Sequence, residues 1–184
     1  MFVTIVRPVT RILKKASGLL LCGSISLAAL ASGCHADQAG PADYKGNMPE
    51  GIWVLNQERS KKFMPGTHTL WVIKDDGQRL VWVSVEADPE GHVRVTSWDG
   101  EYGGEPVEVK GSGMMTVVSS PEKGRVLNHG DIPGLGSYSE DCTVMNEGKR
   151  MLCTFTLTTS EGVNTYIDDF DWFSAGPMVF AAPE

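Results

Sequence analysis

The chain holds none of the short signatures that mark the common hydrolases and cofactor enzymes. Beyond its first 33 residues there is no Gly-x-Ser-x-Gly elbow, no phosphate loop, no zinc-ligand spacing and no dinucleotide fingerprint. No cofactor and no metal is therefore expected. Basic residues are scarce too: 16 against 23 acidic ones over 184 residues. A surface short of Lys and Arg cannot neutralise phosphates, which argues against nucleic acid as a partner. Two further absences bear on architecture. No apolar run is long enough to cross a bilayer as a helix, which takes roughly 18–20 residues. No apolar stripe at helical spacing follows the leader, so helices are not expected to build the core.

The leader itself is defined by what surrounds a short apolar run. Residues 1–33 carry Arg7, Arg11, Lys14 and Lys15 and no acid, and the run Gly18–Ala31 follows. A charged start and a short apolar segment are the layout of a secretory signal peptide. The segment ends Leu30-Ala31-Ser32-Gly33-Cys34, which resembles a bacterial lipobox whose cysteine becomes lipid-modified and N-terminal. Ordinary cleavage after Ala29-Leu30-Ala31 is the rival. The lipid-anchored outcome at Cys34 is the favoured reading, with the membrane as a partner through several acyl chains. It places the protein in the cell envelope, in the periplasm or on the inner face of the outer membrane. Without residues 1–33, 151 residues remain with a net charge of −11. That length suits one domain. Residues 34–50, polar and rich in Gly and Pro, read as a flexible tether; 51–175 form the domain and 176–184 a tail.

Four cysteines occur, and only Cys142 and Cys153 lie within the domain. Asn146-Glu147-Gly148-Lys149 between them is a turn signal flanked by β-type residues. Folding there sets 145 opposite 150, 144 opposite 151 and 142 opposite 153, within reach of a disulfide.

Period-two segments run through the domain: 68–74, 80–86, 92–98, 107–110, 114–119, 125–129, 137–145, 150–159 and 163–173. Turn residues separate them at hairpin lengths. Nine short strands of this spacing mean an antiparallel sandwich or an up-and-down barrel, and closure, which removes exposed edges, favours the barrel. Val81, Val83 and Val85 share one face of their strand, Val93 and Val95 one face of the next, and Met151, Cys153, Phe155 and Leu157 one face of the hairpin arm. If these faces point inward, small valines leave room for a small apolar ligand, bounded by Trp71, Trp82, Val83, Val95 and Phe155.

Residues 51–66 carry a more specific string: Gly51-Ile52-Trp53-Val54-Leu55-Asn56, then Ser60-Lys61, Phe63 and Pro65-Gly66. With Trp98-Asp99-Gly100-Glu101-Tyr102, Gly104 and Pro106-Val107, it resembles a group of small bacterial exported proteins with a lipocalin-like barrel. Gly51-x-Trp53 is also similar to the opening signature of lipocalins, in which Gly turns the chain at the barrel mouth and the Trp plugs the closed end. The Arg that packs over this Trp in lipocalins has no counterpart, since Val163–Glu184 contains no basic residue. The resemblance implies an all-β, antiparallel up-and-down barrel, lipocalin-like (calycin), of about 8–10 strands. It carries no activity with it.

Residues able to do chemistry are few. His129 precedes a glycine-rich stretch with Asp131, and Tyr138 follows; on a mouth loop they could serve as acid–base groups over a cavity. Asp168, Asp169 and Asp171 concentrate charge, with Asp169 and Asp171 on one strand face and Asp168 on the other. Two function classes remain: an envelope barrel binding a small apolar molecule, and an exported barrel enzyme catalysing isomerisation, cyclisation, hydration or elimination.

The leader yields a direct test. Labelled palmitate is expected to enter the wild-type protein and not Cys34→Ala. Equal labelling of both removes the anchor, and a mature chain beginning at Ser32 supports the rival cleavage.

Overall fold

The computed structural model describes residues 41, 43–62 and 64–176. The leader, Cys34, Phe63 and the tail from 177 lie outside the described residues. Ten antiparallel strands follow one another: β1 (Gly51–Leu55), β2 (His68–Asp75), β3 (Arg79–Ala87), β4 (Val93–Glu101), β5 (Val107–Val109), β6 (Met114–Glu122), β7 (Arg125–Ile132), β8 (Gly136–Met145), β9 (Arg150–Thr159) and β10 (Gly162–Ser174). The spatial order is β4-β3-β2-β1-β10-β9-β8-β7-β6-β5, so every neighbour is a sequence neighbour except the β1–β10 pair. Ser97 of β4 and Lys110 beyond β5 exchange backbone hydrogen bonds of 3.1 and 2.9 Å, closing the remaining seam. This is an antiparallel up-and-down β-barrel.

All nine period-two segments become strands, and Gly51–Leu55 supplies the tenth. Gly51 sits at φ +133°, and a Cβ there would lie 2.4 Å from the Ser174 carbonyl oxygen. Only glycine lets β1 approach β10 so closely. Trp53 is fully buried and donates its indole N–H to the Pro49 carbonyl at 3.2 Å. The segment before β1 is not a loose tether in its final residues. Met48 and Pro49 are buried, and the Met48 amide donates to Asp75 Oδ2 at 2.7 Å. Tyr102 Oη donates to the same oxygen at 2.5 Å, and the Gly77 amide to Asp75 Oδ1 at 2.7 Å. Residues 46–50 thus strap this end of the barrel around one buried carboxylate. Burial and the hydrogen-bonded Asp75 carboxylate both push the Tyr102 phenol far above its ordinary range, so it stays a neutral donor.

Strand phase corrects one expectation. Inward on β3 are Leu80, Trp82, Ser84 and Glu86; Val81, Val83 and Val85 face out. On β4 Trp98 is buried inward, while Val93 and Val95 are exposed. Alternation fixes a period but not which face goes in. A Trp withdraws about 150–250 Å² from water, more than a valine can, so the face with Trp82 and Trp98 wins. The valines stand outside, where β-branched residues still suit a strand.

The hairpin register is as expected: Met145 opposes Arg150, Val144 opposes Met151 and Cys142 opposes Cys153. Asn146, Glu147 and Gly148 all take positive φ in the turn. The two cysteines form a disulfide with Cα atoms 3.9 Å apart, and both face the core.

Thiol titration of the unfolded, non-reduced protein is expected to find neither Cys142 nor Cys153 free. Replacing both by Ser is expected to cost roughly 2–3 kcal/mol, the entropy model's value for so short a loop. Two reactive thiols in material exported by its own host contradict the bridge.

Candidate functional site

The inward faces meet in a lumen that is apolar at the strapped end and charged further up. A cavity of about 30 Å³ lies inside, lined by Met48, Ile73, Leu80, Trp71, Trp82 and Val126 among others, with Asn128 and Glu140 on its wall. The volume holds one or two waters. Trp71 stacks near Trp82 (6.2 Å between centroids) and against buried Phe170 (4.7 Å). Towards the other end Phe155 lies between Tyr138 (5.5 Å) and Tyr166 (6.3 Å).

The charged layer is built by the strand seam. Beyond β1 the chain crosses to β10, where Lys61 and Ile167 exchange backbone hydrogen bonds of 2.7 and 3.0 Å. Ile167 points outward, so its partner Lys61 does too, and alternation turns Lys62 into the lumen. Its ammonium lies 3.0 Å from Thr69 Oγ1, 3.2 Å from Asp168 Oδ2 and 3.6 Å from Glu86 Oε1. Arg94, mostly exposed, pairs with the other oxygen of Glu86. On the facing wall Glu140 accepts from Asn128 Nδ2 at 3.0 Å. Asn128 Oδ1 in turn accepts from Thr116 Oγ1 at 2.6 Å and Tyr138 Oη at 3.2 Å. Two buried acceptors here have no hydrogen-bond partner, Asp168 Oδ1 and Ser84 Oγ.

Burial dominates the titration of these groups. Glu140 is pushed up to about 7 by desolvation, with repulsion from Asp168 and Glu86 added; the Asn128 hydrogen bond and Lys62 oppose it. Asp168 is raised by burial and Glu86, against Lys62. Tyr138 is pushed up to about 12 by burial, with Glu140 adding to it and its Thr116 hydrogen bond opposing. A carboxyl that holds a proton near neutral pH, beside one that does not pair both oxygens, is the arrangement expected of a binding or proton-transfer site.

The acidic run near the end of β10 divides as alternation requires. Asp168 enters the lumen, whereas Asp169 is buried beneath Arg59 and Arg150 on the outer side. Burial raises the Asp169 carboxyl, but hydrogen bonds from Arg150 and Arg59 outweigh it and hold the group below its usual range. Asp171 shares Arg59 at 2.6 Å. This cluster fastens the 56–62 crossing to β10 on the outer side of the barrel.

Of the residues singled out from sequence, Trp71, Trp82, Phe155 and Tyr138 face the lumen. His129 and Asp131 do not. The expected loop is strand, since β7 runs on to Ile132, and both side chains project outward into solvent. Val83 and Val95 are likewise on the outer surface. Lys62, Glu86 and Glu140 were not foreseen as site residues. Glu140 had a usable signal, because it stands in phase between Tyr138 and the bridged Cys142. Lys62 had none, since its direction depends on a single bridge, Lys61 to Ile167, that spans 106 positions of sequence.

No known protein family matches this chain, and no curated protein matches it either. Among solved structures it is similar to the zebrafish ileal bile acid-binding protein complexed with cholic acid. The identity is 16%, the TM-score 0.47, and the match covers 67% of this chain and 98% of that one. The barrel assignment rests on the strand register given above.

Glu140 makes a signed prediction. The folded protein keeps a proton on it that the unfolded chain releases, so stability falls as pH rises from about 4.5 to about 7. The full cost above that window is roughly 3 kcal/mol at most. Denaturant melts of wild type and Glu140→Gln at pH 5 and pH 8 check this. The variant should gain on wild type by about 1–3 kcal/mol between the two. A difference independent of pH contradicts the raised carboxyl.

Proposed function

We propose that this is an exported protein, held to the cell envelope by a lipid at Cys34, that binds one small apolar molecule in its barrel lumen. The observation that carries the reading is the construction of the interior. Trp71, Trp82, Phe155 and Tyr166 turn inward yet remain half-buried, and Lys62, Glu86, Glu140 and Asp168 turn inward with them. A core built only for stability has no use for Lys62, Glu86, Glu140 and Asp168 inside it, because taking charges out of water costs more than apolar packing of the same volume. Ligand pockets do combine aromatic walls with a few convergent polar groups. The standing cavity is small, so a guest larger than water enters by moving the lumen-facing side chains, with Trp71 and Trp82 bounding the space.

A second reading, a barrel enzyme using acid–base residues, is favoured by one observation. Glu140 titrates near 7 in a buried position and sits close to Tyr138 through Asn128. It has the acidity a general acid or base needs at neutral pH, and it replaces His129 and Asp131 in that role.

N-phenylnaphthylamine, a neutral apolar fluorophore, is expected to bind saturably, one per barrel, and to quench tryptophan emission. Val126→Phe, which fills the cavity, should weaken binding by about tenfold or more, the order of one or two kcal/mol. Val95→Trp, on the outer surface, should leave it unchanged. Binding that never saturates contradicts the lumen as a site.

A further inference from the structure

Resting on the lumen as the binding site, we infer that its guest is an amphipathic amine, with the ammonium seated between Asp168 and Glu140 and the apolar body against Trp71 and Trp82. The charged groups facing the lumen from the surrounding elements are Lys62 of the β1–β2 crossing, Glu86 of β3, Arg94 of β4, Glu140 of β8 and Asp168 of β10. Three carboxyls meet two cations, and the cations are already engaged. Arg94 lies at the mouth against Glu86. Lys62 has Thr69, Asp168 and Glu86 within 3.0–3.6 Å. Its charge is thus already countered by two carboxylates, although Glu86 at 3.6 Å lies beyond hydrogen-bond reach. An anionic headgroup would have to displace Asp168 or Glu86 from it, and would meet Glu140 as well.

The unsatisfied groups point the other way. Asp168 Oδ1 is buried and accepts from nothing, although its sister oxygen is paired. Ser84, 4% exposed, presents a buried Oγ without a partner on the same inward face as Trp82 and Glu86. Buried polar atoms left unpaired are costly and uncommon. What Asp168 Oδ1 lacks is a donor, and a charged donor would make the stronger bond; the Ser84 hydroxyl can accept or donate. An alkylammonium supplies a charged N–H to Asp168 Oδ1, next to Glu140, whose carboxyl feels the Asp168 charge. The neighbouring indole faces of Trp71 and Trp82 favour a cation over an anion as well.

The test is displacement of N-phenylnaphthylamine by n-decylamine, n-decanol and n-decanoate, each below its micelle concentration at pH 7.5. These share a chain and differ in headgroup alone. Decylamine is expected to displace the probe at about tenfold lower concentration than the alcohol or the acid, the scale of one charge-assisted pair. In Asp168→Asn and Glu140→Gln, checked for folding by thermal melts, that advantage should shrink to about threefold or less. Equal displacement by all three, or tightest binding of decanoate, overturns the amine while leaving the lumen site standing. If the fluorophore itself does not saturate, the lumen reading falls and the inference falls with it. The wild-type comparison needs no variant, so a poorly folded substitution does not decide the outcome.

Discussion

Barrel closure through β10 is the constraint on which the rest of the molecule depends. This strand is the longest, and it must pair with β9 along its length while accepting β1 over Phe170–Ser174. β1 is only five residues long, so β10 outruns it, and the Lys61–Ile167 bridge takes up the remainder. Three features hold this seam. Gly51 permits the close approach at one end, Trp53 is buried beneath it, and Arg59 and Arg150 converge on Asp169 from outside. The Arg59–Asp169–Arg150 arrangement pairs a buried carboxylate from two sides, the condition under which a buried charge is tolerated. Removal of one arginine would leave the other still in contact, so the cluster is redundant at the point where the sheet closes.

The same seam sets the chemistry of the interior. Had β1 continued without interruption, its next inward position would have been filled from the strand. Instead the chain leaves, returns for one bridge, and delivers Lys62 into the lumen. A cation there makes three inward carboxyls possible. It also divides the lumen into an apolar end strapped by residues 46–50 and a charged part whose groups are only partly satisfied. Architecture and site therefore share a cause, which is the mismatch in length between the first and last strands.

Much of the fold was legible in local pattern. Turn residues and period-two segments located nine strands, and the symmetric placement of Cys142 and Cys153 about Asn146–Lys149 fixed a hairpin register to the residue. Disulfide geometry and turn geometry are local, and sequence records local constraints well. The phase of β3 and β4 was not legible in the same way. Either face of Leu80–Glu86 can be read as apolar, and the choice follows from which face best fills a shared core with Trp98 and Trp71, a non-local matter. The site was less legible again. Trp71, Trp82 and Phe155 were found because aromatic residues announce burial, whereas Tyr138 was singled out as an acid–base group of a mouth loop and reaches the lumen from a strand instead. Lys62, Glu86 and Asp168 look like ordinary surface charges until ten strands have set their directions.

A last step concerns why such charges persist inside. Replacing an ion cluster by apolar residues of similar volume is often neutral or stabilising, so stability alone does not favour Lys62, Glu86, Glu140 and Asp168. Two of the lumen's buried oxygens also stand without hydrogen-bond partners, and Glu140 carries its proton at the cost of pH-dependent stability. Each of these is a local departure from what a packed core would choose, and all of them face the barrel interior. Asp169, by contrast, is as buried as any of them and has every oxygen engaged. The difference between the two neighbours on β10 is the difference between a charge used to fasten the fold and a charge left available to a guest.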